Sequence, residues 1–152
     1  MTPADATITL TAVTIADRRL LAAWFDGDED GSTHLGYYQD GDAWLQLMSN
    51  DRHGWIAHLD GHPMGFLDLE IKDQIGHFSF YVAPAFRRRG HGIGLLLILG
   101  AVCRDMSIDR AVGFVEPTNT ASVRALRAAG FAVSDQPDDE GMLEASKILT
   151  NG

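Results

Sequence analysis

Between Tyr81 and Gly94 the sequence reads Tyr-Val-Ala-Pro-Ala-Phe-Arg-Arg-Arg-Gly-His-Gly-Ile-Gly, which sets Arg87, Arg88 and Arg89 beside Gly90, Gly92 and Gly94. Glycine lets a backbone turn its N–H groups toward a bound anion, and guanidinium groups supply countercharge. The segment joins a β-branched, aromatic stretch (Ile75 to Val82) to a long apolar one (Ile93 to Met106). A strand–loop–helix connection is predicted, and the helix N-terminus adds roughly half a positive charge. Such a loop is a cradle for phosphate. A dinucleotide fingerprint starting at Gly90 would need glycine where Leu95 stands, and a nucleotide P-loop would need Gly-Lys-Ser/Thr, which is absent. A solvated basic turn or a nucleic-acid patch stays open as a competing reading.

A second block, Glu116-Pro117-Thr118-Asn119-Thr120-Ala121-Ser122, follows the strand-like Arg110 to Val115 and opens an amphipathic stretch ending at Gly130. Asn119 is suited to cap that helix. Glu116 would end a strand beside the glycine-rich loop, while Asp68 and Glu70 share one face of the strand Met64 to Ile71. Carboxylates so placed could hold an ammonium and receive its proton. A carboxylate near pKa 4 is a poor match to an amine near 10, so a water relay or a raised pKa would be needed. Glu116 ranks first as base and Glu70 second, each set against an ordinary surface acid. Tyr81, His77 and His91 rank lower: His91 suits a phosphate, and His77 fills a strand position. The single cysteine, Cys103, excludes an internal disulfide and lies in an apolar run, where thiols behave as small hydrophobes.

The elements that must position these residues follow from periodicity. Ile8 to Val13 alternates as a strand, and Thr14 can cap a helix running through Trp24 with Leu20, Leu21 and Trp24 on one face. Phe25 to Asn50 opens with the acidic, glycine-broken Asp26 to Gly31 and holds one predicted helix, Asp42 to Met48. Trp55 to Leu59, Met64 to Ile71 and Ile75 to Val82 form an antiparallel meander joined at Asp60-Gly61-His62-Pro63 and Lys72-Asp73-Gln74. Ile93 to Met106 is apolar on nearly all sides, as a helix sandwiched in a core would be. Arg110 to Val115, a helix over Asn119 to Ala129, and the strands Phe131 to Val133 and Met142 to Leu149 complete the order. The expectation is an α/β (α+β) domain over residues 1–152: a mixed, mostly antiparallel twisted sheet of about seven strands flanked by about four helices.

At 152 residues and 45% hydrophobic, the chain can bury one core without disulfide or metal staples, and no metal is expected. No stretch approaches the roughly 18 apolar residues of a membrane span, and Met1 to Leu10 lacks a basic region followed by an apolar one, so a cytoplasmic location is the default. Against 12 Lys and Arg stand 21 Asp and Glu, for a net charge of -9. Nucleic acid would be repelled over most of such a surface, and a charged substrate would be cationic. Asp26, Asp28, Glu29, Asp30, Asp40 and Asp42 could line a site for a polycationic amine, or form an acidic loop that touches no substrate. A homodimer is allowed and not dictated.

The register Arg87-x-x-Gly90-x-Gly92, preceded by Val82-x-Pro84, resembles the coenzyme A motif of the GNAT superfamily of N-acetyltransferases. The block Asn119 to Ser122, with Leu126 and Gly130-Phe131, is similar to that family's second motif. The resemblance implies that acetyl-coenzyme A is the cosubstrate, with pyrophosphate on the Arg87 to Gly94 backbone, including Arg88, Arg89, Gly90, His91, Gly92 and Ile93. Pantetheine would lie along the strand end at Tyr81 and Val82, and Asn119 and Ser122 would stand near the cofactor. An oxyanion donor would be a backbone N–H near Val82. Many members carry a tyrosine acid seven residues after the asparagine, where this chain has Leu126. Ser122, or a water it holds, then becomes the donor to the leaving thiolate. The opening Ile8-x-Leu10, Asp17, Leu20-Leu21 and Trp24 resembles both the aminoglycoside and the ribosomal-protein N-terminal acetyltransferase branches. The implied reaction is acetyl transfer to a primary amine of a small cationic substrate; a protein N-terminus as acceptor, or a non-catalytic acyl-CoA-binding domain, are the alternatives.

Overall fold

The computed structural model describes residues 7–149, with backbone only at residues 33 and 34; residues 1–6, most of the Met1 to Leu10 segment read above for a leader pattern, fall outside that range. Seven strands are hydrogen-bonded in the order β1-β2-β3-β4-β5-β7-β6: β1 (Ile8–Ala12), β2 (Arg52–Leu59), β3 (His62–Lys72), β4 (Ile75–Val82), β5 (Arg110–Val115), β6 (Ala132–Val133) and β7 (Leu143–Ile148). Neighbours pair antiparallel except β4 and β5, which run parallel because helix α4 (His91–Asp105) crosses between them. The turns between β2, β3 and β4 are short. Asp60 and Gly61 take φ of 50° and 87°, and Asp73 and Gln74 take 53° and 64°, the pattern of a two-residue hairpin whose twist matches the strands. His62 and Pro63, expected in the first turn, already belong to β3. Gln74 carries a side chain in a left-handed conformation that favours glycine. Gln74→Gly is therefore expected to raise stability by about 0.5–1 kcal/mol, read as a higher urea midpoint at unchanged slope.

Two apolar layers sandwich the sheet. On one face α4 and α5 (Thr120–Ala128) bury Leu95, Leu96, Leu99, Cys103 and Leu126 against Leu67, Leu69 and Phe78. On the other, α1 (Arg18–Phe25), α3 (Gly41–Leu45) and a 3₁₀ turn at Gly36–Gln39 pack Leu21, Phe25, Tyr38 and Trp44 against Ile56, Phe66 and Tyr81. The expectation for α4 needs correction. Leu97 is half exposed and Ala101 is exposed, so the helix meets solvent on its outer side and is not enclosed. Cys103 is fully buried and desolvation pushes its thiol up to about 11, in keeping with a packing role.

The acidic segment contains a helix that periodicity did not reveal, α2 (Glu29–Leu35), so the described residues hold five α-helices. Its sequence, with Asp30, Gly31 and Ser32, is poor in helix formers. Capping and tertiary contacts hold it instead: the Asp28 side chain accepts from Gly31 N–H at 3.2 Å, and Ser32 N–H bonds to Asp28 O. Elsewhere the capping follows the sequence, as Thr14 and Asp17 form a reciprocal box and Asn119 accepts from Ser122 N–H at 3.3 Å.

Candidate active site

β4 and β5 pair only from Ile75 to His77 and from Arg110 to Val112; beyond that they diverge into a V. Phe78 closes its bottom, its ring lying so near Gly113 that an added Cβ there would come within 2.7 Å. A cleft of about 630 Å³ opens above, lined on one side by Phe80, Tyr81 and Val82 of β4 and on the other by the first turns of α5. The glycine-rich loop and the start of α4 form its floor, and Asp30, Gly31 and Leu35 of α2 its outer wall. A smaller cavity of about 70 Å³ adjoins it, lined by Ser79, Phe80, Phe114, Glu116, Ser122, Leu126 and Met142 among others. Leu35, Phe80, Asn119 and Ser122 border both spaces.

The loop's backbone suits an anion. Arg88 and Gly90 adopt φ of 65° and 80°, and an added Cβ at Gly90 would touch nothing within 4 Å, so the backbone there is open to a ligand. Left-handed residues just before a 15-residue helix turn successive N–H groups outward at the helix's positive end. Ala121, Ala125 and Ala128 recur at helical spacing on the opposite wall and leave room for a ligand's body.

The three arginines divide sharply. Arg87 turns inward: its Nε donates to Val82 O at 2.8 Å, and Nη1 and Nη2 donate to the two oxygens of Asp28 at 3.0 and 2.7 Å. Its guanidinium also lies 5.3 Å over the Tyr81 ring. Arg87 still borders the cleft, as does Arg88, whereas Arg89 is exposed outside it. Gly94 also lies outside; it serves packing, because an added Cβ would press within 3.0 Å of Ile8. Arg124, not among the residues singled out from the sequence, lines the cleft one helical turn beyond Thr120. Only its position on the ligand-facing side of α5 could have signalled it.

A family model for the Acetyltransferase (GNAT) family matches residues 19–131. The chain belongs to the GNAT family. An uncharacterized N-acetyltransferase of Bacillus subtilis (strain 168), YfmK, is 28% identical over 141 residues, covering 88% of this chain and 90% of that one. Among solved structures, aminoglycoside acetyltransferase AAC(6')-Ib in complex with coenzyme A and kanamycin superposes at a TM-score of 0.79 with 17% identity, covering 93% of this chain and 95% of that one. Spermidine N-acetyltransferase from Vibrio cholerae, in complex with CoA and spermine, gives 0.80 with 13% identity over 93% and 95% of the two chains. These likenesses bear on the fold. As a GNAT enzyme the chain is an acetyl-CoA-dependent N-acetyltransferase, and among the described residues no helix is long and apolar enough to cross a membrane.

Within this GNAT fold the remaining candidates separate. Glu116 follows β5, borders the smaller cavity and already has a partner of its own. Ser122 stands where the two spaces meet, and Leu126, at the place of the usual tyrosine, is buried. His91 and Ile93 line the large cleft, as do Gly92 and Asn119. Tyr81 lines it too, but its hydroxyl donates to Asp28 Oδ2 at 2.7 Å, with Trp24 O at 3.1 Å the alternative acceptor for its one proton. Burial, with the Asp28 carboxylate beside it, raises its pKa and keeps the phenol protonated. Glu70 lies elsewhere: exposed, 3.4 Å from Arg52, and bordering neither space. Asp68 is buried under Arg52, which donates from Nε and Nη2 at 2.7 and 2.6 Å, and under the Tyr38 hydroxyl. His77 pairs across the strands with Glu70, below the V.

The acidic segment is largely engaged within the fold. Asp28 holds Arg87 and Tyr81, Asp40 caps α3 through Ala43 N–H at 3.1 Å, and Asp42 lies 3.9 Å from Arg18. Asp26 and Glu29 are exposed, and Asp30 lines the cleft. The Arg87 hydrogen bonds, outweighing the cost of burial, lower the Asp28 carboxyl to about 2. A carboxyl with a lower pKa in the folded state than in the unfolded chain stabilises the fold above about pH 4 and loses that contribution as pH falls toward about 2. The stability gap between wild type and Asp28→Asn, read from urea melts, is accordingly expected to be wide at pH 5 and to narrow toward pH 2.

Proposed function

We propose that this enzyme acetylates the primary amine of a small substrate that enters beside Glu116, with acetyl-coenzyme A in the large cleft, in one ternary complex. The observation that carries this reading is the junction itself: Asn119, Ser122 and Phe80 border both the cofactor-sized cleft and a cavity that bears a carboxylate. The cosubstrate supplies an activated acyl group as a thioester. Arg88, Arg124 and the amides from Arg88 to Gly92 hold its phosphates, and Val82 flanks the pantetheine.

Glu116 attracts the substrate ammonium and, directly or through a water, takes its proton so that the nitrogen lone pair is free to attack. The new C–N bond forms as the C–S bond breaks, and the second proton shed by the acylated nitrogen is relayed through the Ser122 hydroxyl, or water held there, to the departing sulfur. Because an ordinary thiol titrates near 8.5, this last step needs only a weak donor. A cationic substrate is favoured by Glu116 and Asp30 rather than by the whole acidic segment, in which Asp28, Asp40 and Asp42 cap helices or bind arginines. Phe80, Phe114 and Met142 give the smaller cavity apolar walls, which favours an amine with an apolar flank over an evenly charged polyamine.

Acetyl-CoA consumption against aminoglycosides, polyamines, amino acids and N-terminal peptides tests the reading. Turnover of one small amine, lost in Glu116→Gln, is the expected result. Turnover of peptides alone would move the assignment to protein N-termini, and coenzyme A binding without turnover on any amine would leave a binding domain.

A further inference from the structure

The guanidinium of Arg87, half-buried, and the carboxylate of Asp28, buried, form a joint between two parts of the molecule that are 59 residues apart in sequence. On one side of it Arg87 ties the end of β4 to the loop, through Val82 O. On the other, Asp28 caps α2 and is 8% exposed. Gly31 makes the approach possible, since an added Cβ would fall 2.3 Å from Asp28 Oδ2 and 3.0 Å from the Tyr81 ring. Beyond the joint, Arg88 to Gly90 are exposed, and α2 carries Asp30, Gly31 and Leu35 to the cleft, with Leu35 reaching the smaller cavity as well.

We propose that Asp28 is a positioning residue: acting through Arg87, it sets the pyrophosphate-binding loop and couples coenzyme A binding to the α2 wall that the cofactor cleft shares with the acceptor cavity. The proposal rests on coenzyme A occupying the large cleft. Arg87 borders the cleft, but three of its N–H groups are held by Val82 O and Asp28, so its main contribution is to fix where the following amides point. An anion that draws those amides inward pulls on Arg87, and through Asp28 on the first turn of α2. The coupling is reciprocal, so a loosened α2 weakens cofactor binding by the same factor.

The test uses the full chain. Coenzyme A affinity is measured by titration calorimetry for wild type, Asp28→Asn, Arg87→Gln and the double variant, with amide exchange over residues 29–35 followed with and without coenzyme A. Each single variant is expected to weaken coenzyme A about tenfold, and the double no further than the worse single, since both break one link. In steady state Asp28→Asn should raise KM for acetyl-CoA about tenfold with kcat changed less than about threefold, a split that general loss of folded protein would not produce. In wild type, coenzyme A should slow exchange over residues 29–35, which needs no variant to fold. Affinity of Asp28→Asn within about twofold of wild type, losses that multiply in the double variant, or α2 exchange unchanged by bound coenzyme A would each overturn the coupling. Failure of wild type to bind coenzyme A at all would overturn the cofactor placement beneath it.

Discussion

Glu116→Gln is expected to lower kcat by about 10²–10³-fold while coenzyme A affinity stays within about a factor of two. The substitution keeps the size and shape of the side chain and removes only its charge and its ability to take a proton. Glu116 borders the smaller cavity and not the large cleft, so, with coenzyme A in the large cleft as proposed, the loss should fall on the chemical step and on amine binding. At neutral pH an amine near pKa 10 arrives almost wholly as ammonium, and without a proton acceptor only the small free-base fraction can attack. In the variant, kcat/KM should therefore climb with pH toward the amine's own pKa, whereas wild type reaches its plateau earlier. Ser122→Ala, by contrast, is expected to cost about tenfold or less, because water can protonate a thiolate whose conjugate acid titrates near 8.5. A Glu116→Gln rate within threefold of wild type, at every pH, would remove the base role and leave proton loss to solvent.

The parts of the molecule governed by local rules were legible in the chain. Arg110 to Val115 is a strand at the expected bounds, Asn119 caps α5, and a hairpin turn falls within the expected Asp60-Gly61-His62-Pro63, tightened to its first two residues. What the sequence hid depends on contacts between distant residues. α2 is a short helix of poor helix formers, stabilised by a cap whose carboxylate is fixed by Arg87 and Tyr81 from another part of the chain. The run Asp26 to Gly31 therefore looks like a loop until its partners are known. The arginine cluster was equally opaque. Three consecutive guanidinium groups look interchangeable in sequence, yet two border the cleft, one of them tied to Asp28, and the third lies outside it, according to the direction the backbone gives each. Glu70 and Asp68 share a strand face as alternation requires, but that face meets Arg52 and not the V. Periodicity assigns a side chain to a face; it does not say which height of the sheet holds the site.

Gly65→Ala is expected to destabilise the fold by about 3–5 kcal/mol, a large share of the roughly 5–15 kcal/mol that holds a domain of this kind together. An added Cβ at Gly65 would stand 1.9 Å from Tyr81 O and 3.2 Å from Val82 Cα. These are backbone atoms of the paired strand, so no rotamer change relieves the contact and β3 and β4 must separate. Gly61 offers the contrast: its φ is 87° but an added Cβ meets nothing within 4 Å, so Gly61→Ala should cost only about 1 kcal/mol of backbone strain. Urea midpoints of the two variants measure the difference, with far-ultraviolet circular dichroism reporting whether the sheet persists. The position matters for chemistry because Val82, forced outward with Tyr81, is the wall along which the acyl-bearing arm would lie. Any folded Gly65→Ala protein should then show weakened coenzyme A binding beyond what its lost stability explains. A midpoint close to wild type together with unchanged affinity would mean that β3 slides past β4 at little cost, and that the V is set by the Phe78 and Gly113 contact at its base instead.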